Sequence, residues 1–401
     1  MTTASGPRPD ALAPETLMMG LGYDPHLSEG AIKPPIFQTS TFVFRSAEDG
    51  KRFFEVAYGL RKREAGEALG LIYSRINNPN LEILEDRLAV WDHADKALVF
   101  SSGMAAISTS MLALCRPGDE VLYTAPAYGG TEYLFDRILP RFNVGVSSCP
   151  IEHGSRALLD RVSAAIAASR TTGRRLAAVY VETPANPTNQ MVDLAALAAL
   201  LREQPAETRP LLVVDNTFLG PVWQQPLTLG AEDLMARVAE MRTIGGTCSD
   251  PHTSWLLLRS LETLKIRMEK SQANAMELVD RLAAHPKVVA VLTAGGVGAS
   301  PEQVEIASRQ CQGQGSTFSI RLGGGEAEAF RFLNALKIFK LAVSLGGTES
   351  LASHPSSTTH SDYTPEAKRA CGVGDDLVRL SVGIENVEDL WRDLDAALEM
   401  V

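Results

Sequence analysis

Leu211-Leu-Val-Val-Asp-Asn-Thr-Phe-Leu-Gly-Pro221 is the stretch whose reading decides the fold. Four apolar residues, two of them β-branched, predict a short buried parallel strand. Asp215 follows at once, at the strand's carboxyl end, where open α/β sheets place their ligands. Two readings of that carboxylate stand at this point. It is a loop acid capping neighbouring amides, or it is the partner of a protonated ring nitrogen in a bound ligand.

The flanking sequence repeats the pattern. Segments 97–100, 120–124, 144–148 and 177–181 read as strands. Helical periodicity falls at 155–169, through Leu158, Leu159, Val162 and Ile166, and again at 192–203. Strands alternating with helices predict a parallel α/β sheet. Ser102, Tyr128, Asn186 and Asp215 each sit just past a strand end, the edge along which such sheets form their crevice. The Ser101-Ser-Gly103 turn leads into a helix, whose first N–H groups suit a phosphate; the bland reading is an ordinary βα turn. Neither Gly-x-Gly-x-x-Gly nor Gly-Lys-Ser/Thr occurs, which disfavours dinucleotides and nucleoside triphosphates.

The rest of the 401 residues predicts a second, smaller lobe. A long helix is expected over 253–285, followed by strands 316–321 and 377–382 and helices 325–337 and 386–400. Arg379 interrupts the apolar run Leu377-Val-Arg-Leu-Ser-Val382. It reads either as an edge-strand arginine reaching water or as a fork for a substrate carboxylate. His354 and His360 lack metal-ligand spacing, so no metal is expected. A formal net charge of −10 without a basic block argues against nucleic acid and an anionic membrane surface. Five scattered cysteines without Cys-x-x-Cys, an N-terminus without an apolar core and the lack of ~18 successive apolar residues predict a cytoplasmic location and no membrane span.

Six ordered motifs then carry a resemblance: Tyr73-Ser-Arg75, Ser102-Gly103-Met104, Tyr128-Gly-Gly-Thr131, Glu182-Thr-Pro-Ala-Asn186-Pro, Asp215-Asn-Thr217-Phe and Arg379-Leu-Ser-Val-Gly. Together they resemble the Cys/Met-metabolism family of pyridoxal-phosphate (PLP) enzymes, which includes cystathionine γ-synthase, cystathionine γ-lyase and methionine γ-lyase. The resemblance implies fold type I: a large domain with a mostly parallel seven-stranded sheet and a smaller C-terminal α+β domain. It implies an N-terminal arm over 1–72, a PLP-binding domain over 73–250 and a linking helix with the C-terminal domain over 251–401. A dimer of dimers acting on small amino acids by γ-replacement or γ-elimination is also implied. So are the residue roles. Tyr73 and Arg75 hold the phosphate of the partner's cofactor, while Gly103 and Met104 hold it in the same subunit. Tyr128 stacks on the ring and moves protons, Asn186 lies near the ring oxygen, and Asp215 with Thr217 pairs the ring nitrogen. Ser344 and Arg379 take the substrate carboxylate. Gly130 and Glu349 lean toward the cystathionine enzymes.

One part of the pattern is missing. The family's Schiff-base lysine sits in a Ser-x-Thr-Lys motif soon after the Asp-Asn-Thr-Phe strand. Here the run ending at Ala231 passes directly into Glu232-Asp-Leu-Met, and no lysine occurs between Lys96 and Lys265. Lys265 and Lys270 fall where the family places no catalytic lysine. By the same resemblance the splice near 231–232 removes two sheet strands, one beside 211–214 and one joining it to 97–100. The expectation is that 97–100 slides across to pair with 211–214 or that the large domain folds poorly. The chain as written is expected to be inactive.

Overall fold

The computed structural model describes residues 12–57, 59–62, 64, 67, 70–151, 154–229 and 235–401. The splice at 231–232 lies outside the described residues. The chain divides into two compact units. Residues 1–114 and 233–265 form the first, and 115–232 and 266–401 the second. This division cuts across the 73–250 stretch.

In the first unit, helix Pro79–Trp91 packs against Pro251–Leu261, and Gly103–Leu114 against Met235–Gly245. Asn78 caps the first of these helices, its side chain accepting the Asn80 N–H, and Pro79 occupies the first helical position, where its missing N–H costs nothing. Leu81, Leu84, Val99 and Leu258 are buried together.

Segment 97–100 is not a strand, contrary to expectation. Only Phe100 pairs, as an isolated antiparallel bridge to Cys248. Its neighbour's backbone is satisfied by side chains instead. The Val99 N–H donates to Glu85 Oε1 at 2.9 Å, and Arg242 Nη1 donates to the Val99 carbonyl at 3.0 Å. Buried Arg242 also pairs with Glu85. A β segment needs a ladder for its amides. Where no strand supplies one, this pair of charged side chains does.

The second unit holds both sheets. Glu120–Ala125 (β1), Gly145–Pro150 (β2), Leu176–Glu182 (β3) and Leu211–Asp215 (β4) form a parallel sheet in the order β2-β1-β3-β4. Every residue of β3 is buried, as a central parallel strand requires. Among the described residues β4 pairs only with β3, so the expected slide of 97–100 onto it does not occur. Among the described residues this sheet has four strands, all parallel, where the resemblance implies a mostly parallel sheet of seven.

The second sheet runs β5-β6-β9-β8-β7, built from Val288–Leu292 (β5), Thr317–Leu322 (β6), Lys340–Leu341 (β7), Leu351–Ser353 (β8) and Leu377–Ser381 (β9). Its core joins Phe318, Ile320, Leu380 and Val378 to Leu278 and Leu282 of helix Leu264–Ala283 and to Leu390 and Leu394 of Val387–Leu398. The single helix expected over 253–285 is two helices. The chain leaves helical geometry at Glu262-Thr263 and passes between units at Lys265–Ile266.

Candidate functional site

The carboxyl ends of β3 and β4 stop in register, Glu182 opposite Asp215. Asp215 Oδ1 accepts hydrogen bonds from the Thr217 N–H at 3.1 Å and from its hydroxyl at 2.5 Å. Oδ2 accepts from the Tyr180 hydroxyl at 2.9 Å. Burial, reinforced by the Asp215 charge, raises the Tyr180 pKa well above that of a free phenol, so this hydroxyl stays a donor. The carboxylate is thus aimed by two side chains and one amide. Tyr180 was not anticipated, although a tyrosine in the otherwise apolar run 176–181 was a signal.

Glu182 is buried within the same cluster. Its Oε2 accepts the Tyr128 N–H at 2.7 Å, and its Oε1 accepts the Asn186 N–H at 2.8 Å. Burial, with the nearby Asp215 charge, raises its pKa well above the usual carboxylate range. Tyr128 presents its ring with 44% exposure. The residue after it must be small: a Cβ on Gly129 would meet the Thr359 carbonyl oxygen at 2.6 Å.

Arg379 lies on β9, between β6 and β8, and is only 3% exposed. That overturns the edge-strand reading. Its Nη1 donates to Asn186 Oδ1 at 3.1 Å and its Nη2 to the Ser344 carbonyl at 2.9 Å. Ser344 holds φ +98°, a conformation unfavourable for a side-chain-bearing residue and typical of constrained loops at binding sites. The Arg379 Nε is buried without a hydrogen-bond partner, and Arg379 makes no ion pair among the described residues. A buried guanidinium with an open N–H fits an incoming carboxylate.

The remaining expected residues belong to the first unit. Gly103 and Met104 open helix Gly103–Leu114, where amides have no intrahelical acceptor. The Ser102 hydroxyl accepts the Ala105 N–H at 3.0 Å. Tyr73 is 40% exposed, with the Arg75 guanidinium 5.7 Å from its ring centre; Arg75 also donates to the Thr243 carbonyl at 2.6 Å. Lys265 is engaged with Glu15 at 2.6 Å in the first unit, and Lys270 with Asn274 at 2.8 Å in the second. His354 is fixed between the Ser357 hydroxyl and the Asp375 carbonyl. Burial lowers the His360 pKa to about 4.

The sequence model for the Cys/Met metabolism PLP-dependent enzyme family matches residues 15–238 and 231–399. The chain belongs to this family. Its two matched stretches overlap over residues 231–238, the region of the splice expected from the sequence. The L-methionine gamma-lyase of Pseudomonas putida is 37% identical over 405 aligned positions, covering 94% of this chain and 95% of that protein. The cystathionine gamma-synthase of Mycobacterium tuberculosis is also 37% identical, over 411 positions and 96% of each chain. Identity therefore does not separate lyase from synthase. Both alignments are longer than the chain's 401 residues, so these relatives carry residues with no counterpart here. Among solved structures, the cystathionine gamma synthase of Xanthomonas oryzae pv. oryzae superposes with a TM-score of 0.82 at 30% identity, covering 97% of this chain and 98% of that one. PLP is the family's cofactor, and family members act on small amino acids.

The residues present fit this cofactor in part. The Asp215 cluster suits a protonated ring nitrogen, and the orphaned Nε of Arg379 suits a carboxylate. No lysine lies between Lys96 and Lys265, and Lys265 is paired with Glu15. Among the described residues no helix is long and apolar enough to cross a membrane.

Proposed function

We propose that this chain keeps the ligand recognition of a trans-sulfuration enzyme without its turnover. The chemistry of its type is γ-replacement or γ-elimination on homoserine-ester, cystathionine or methionine-like amino acids. In that chemistry the bound cofactor serves as an electron sink for the carbanion formed at the amino acid's α-carbon. This chain's own residues supply the rest of the recognition. Asp215, aimed by Thr217 and Tyr180, pairs the ring nitrogen. Tyr128 faces the ring and Asn186 its oxygen. Arg379, with the Ser344 backbone, orients the amino acid's carboxylate. Gly103 and Met104 offer amides to the phosphate. Tyr73 and Arg75, with exposed surface on the first unit, serve a neighbouring subunit in a cytoplasmic dimer of dimers.

The observation that carries the reading is the lysine-free stretch from 97 to 264. Lysine is the residue that anchors the cofactor and then moves protons. The purified chain with added PLP is expected to release no α-keto acid, thiol or ammonia from methionine, cystathionine or O-succinylhomoserine above the rate of free PLP. Enzyme-level turnover of any of the three would overturn the proposal. Gel filtration with light scattering tests the tetramer; a monomer would remove the roles given to Tyr73 and Arg75.

A further inference from the structure

Asp215 and Arg379 draw attention by their charge, while the residue that joins their surroundings is Glu182. It ends β3 with 4% exposure and spends both carboxyl oxygens on backbone amides from different turns, Tyr128 at 2.7 Å and Asn186 at 2.8 Å. Its own N–H is held by the Thr124 hydroxyl at 3.1 Å, so its place at the strand end is fixed. Asn186 passes the connection on, since its side-chain oxygen accepts from Arg379 Nη1.

We infer that Glu182 is a positioning residue: one buried carboxyl group registers the turn bearing Tyr128 with the turn bearing Asn186, and through Asn186 it registers the Arg379 fork. The inference rests on the reading of this cluster as a ligand site given above. A purely space-filling role would not need a carboxyl group, because burying one is costly and an apolar residue of similar volume is often better tolerated. What the site gains is two acceptors at a fixed separation on one rigid strand end. Glu132 acts beside it, accepting the Ala127 N–H at 2.9 Å, so consecutive amides of the Tyr128 turn are held by two acidic side chains. The titratable groups facing Glu182 among the described residues include Tyr180 on β3, Asp215 on β4, Glu132 on helix Gly129–Tyr133 and Arg379 on β9.

The test uses the full chain and pyridoxamine phosphate, a probe that needs no lysine because it carries an amine in place of the aldehyde. Affinity is read by fluorescence titration, and the orientation of the bound ring by its induced circular dichroism per bound probe. Glu182→Leu, which removes both acceptors, is expected to weaken binding about tenfold or more and to abolish the induced signal. Glu182→Gln keeps one acceptor and should fall between Leu and wild type. If Glu182→Leu does not fold, the near-isosteric Gln variant decides. A residue that only supports the fold would lower the melting temperature and leave the induced signal per bound probe unchanged; that result overturns the inference. Should the wild-type chain bind no probe, the reading of the cluster as a ligand site falls first, and the inference with it.

Discussion

Two strand ends that the sequence makes look alike have come to different fates. At 176–182 and 211–215, β3 and β4 lie side by side, and their terminal acids are held by Tyr180, Thr217 and the amides of Tyr128 and Asn186. At 97–100 the apolar run has no ladder, and its backbone leans on Glu85 and Arg242. The difference teaches that strand propensity is realised only where a neighbouring strand exists to complete the hydrogen bonds. In the first region β3 lies between β1 and β4 and each strand has a partner. By family resemblance both β4 and 97–100 have lost a neighbour, and only β4 retains another.

The comparison breaks most readily at Arg242. Replacing it by Met leaves Glu85 buried without its partner and the Val99 carbonyl without this donor. Removing one member of a buried pair costs ~3–5 kcal/mol. Urea unfolding should register that loss, and hydrogen exchange should place it in the first unit while β3 and β4 stay protected. Equal loss of protection in both units would mean that the two regions are not independently supported.

A pH experiment probes the other region. Burial raises the Glu132 pKa from 4.5 to about 8. The folded protein therefore holds a proton there that the unfolded chain releases, and stability falls as pH rises from 4.5 through about 8. Glu132→Gln cannot ionise and still accepts the Ala127 N–H. Its unfolding free energy should match wild type near the lower end and exceed it by ~2–4 kcal/mol above the upper end. Parallel pH profiles for the two proteins would show that Glu132 is not buried as described.

The smallest effect is expected at Tyr180. Tyr180→Phe removes a single hydrogen bond to Asp215, worth ~1 kcal/mol, and should weaken pyridoxamine phosphate binding about fivefold without changing the fold. No change in affinity would dissociate Asp215 from ring recognition.

Much of this was legible beforehand. The parallel strands at 120–124, 144–148, 177–181 and 211–214 were readable because apolar runs bounded by turn residues leave few alternatives. Asp215 and Arg379 stood out as charges in dry settings. Tyr180 and Glu182 were harder to assign, since their partners come from segments distant in sequence and only the register of β3 against β4 brings them together. The fate of 97–100 was not legible either. A strand's local sequence says that it can pair, not whether a partner remains.

On the proposed function, the chain recognises the cofactor's ring with no lysine placed to bond it. Sodium borohydride reduction of the PLP-treated full chain, followed by peptide mapping, tests this most directly. The prediction is that no single lysine carries a stoichiometric pyridoxyl group. Stoichiometric labelling of one lysine, Lys265 or Lys270 above all, would contradict it.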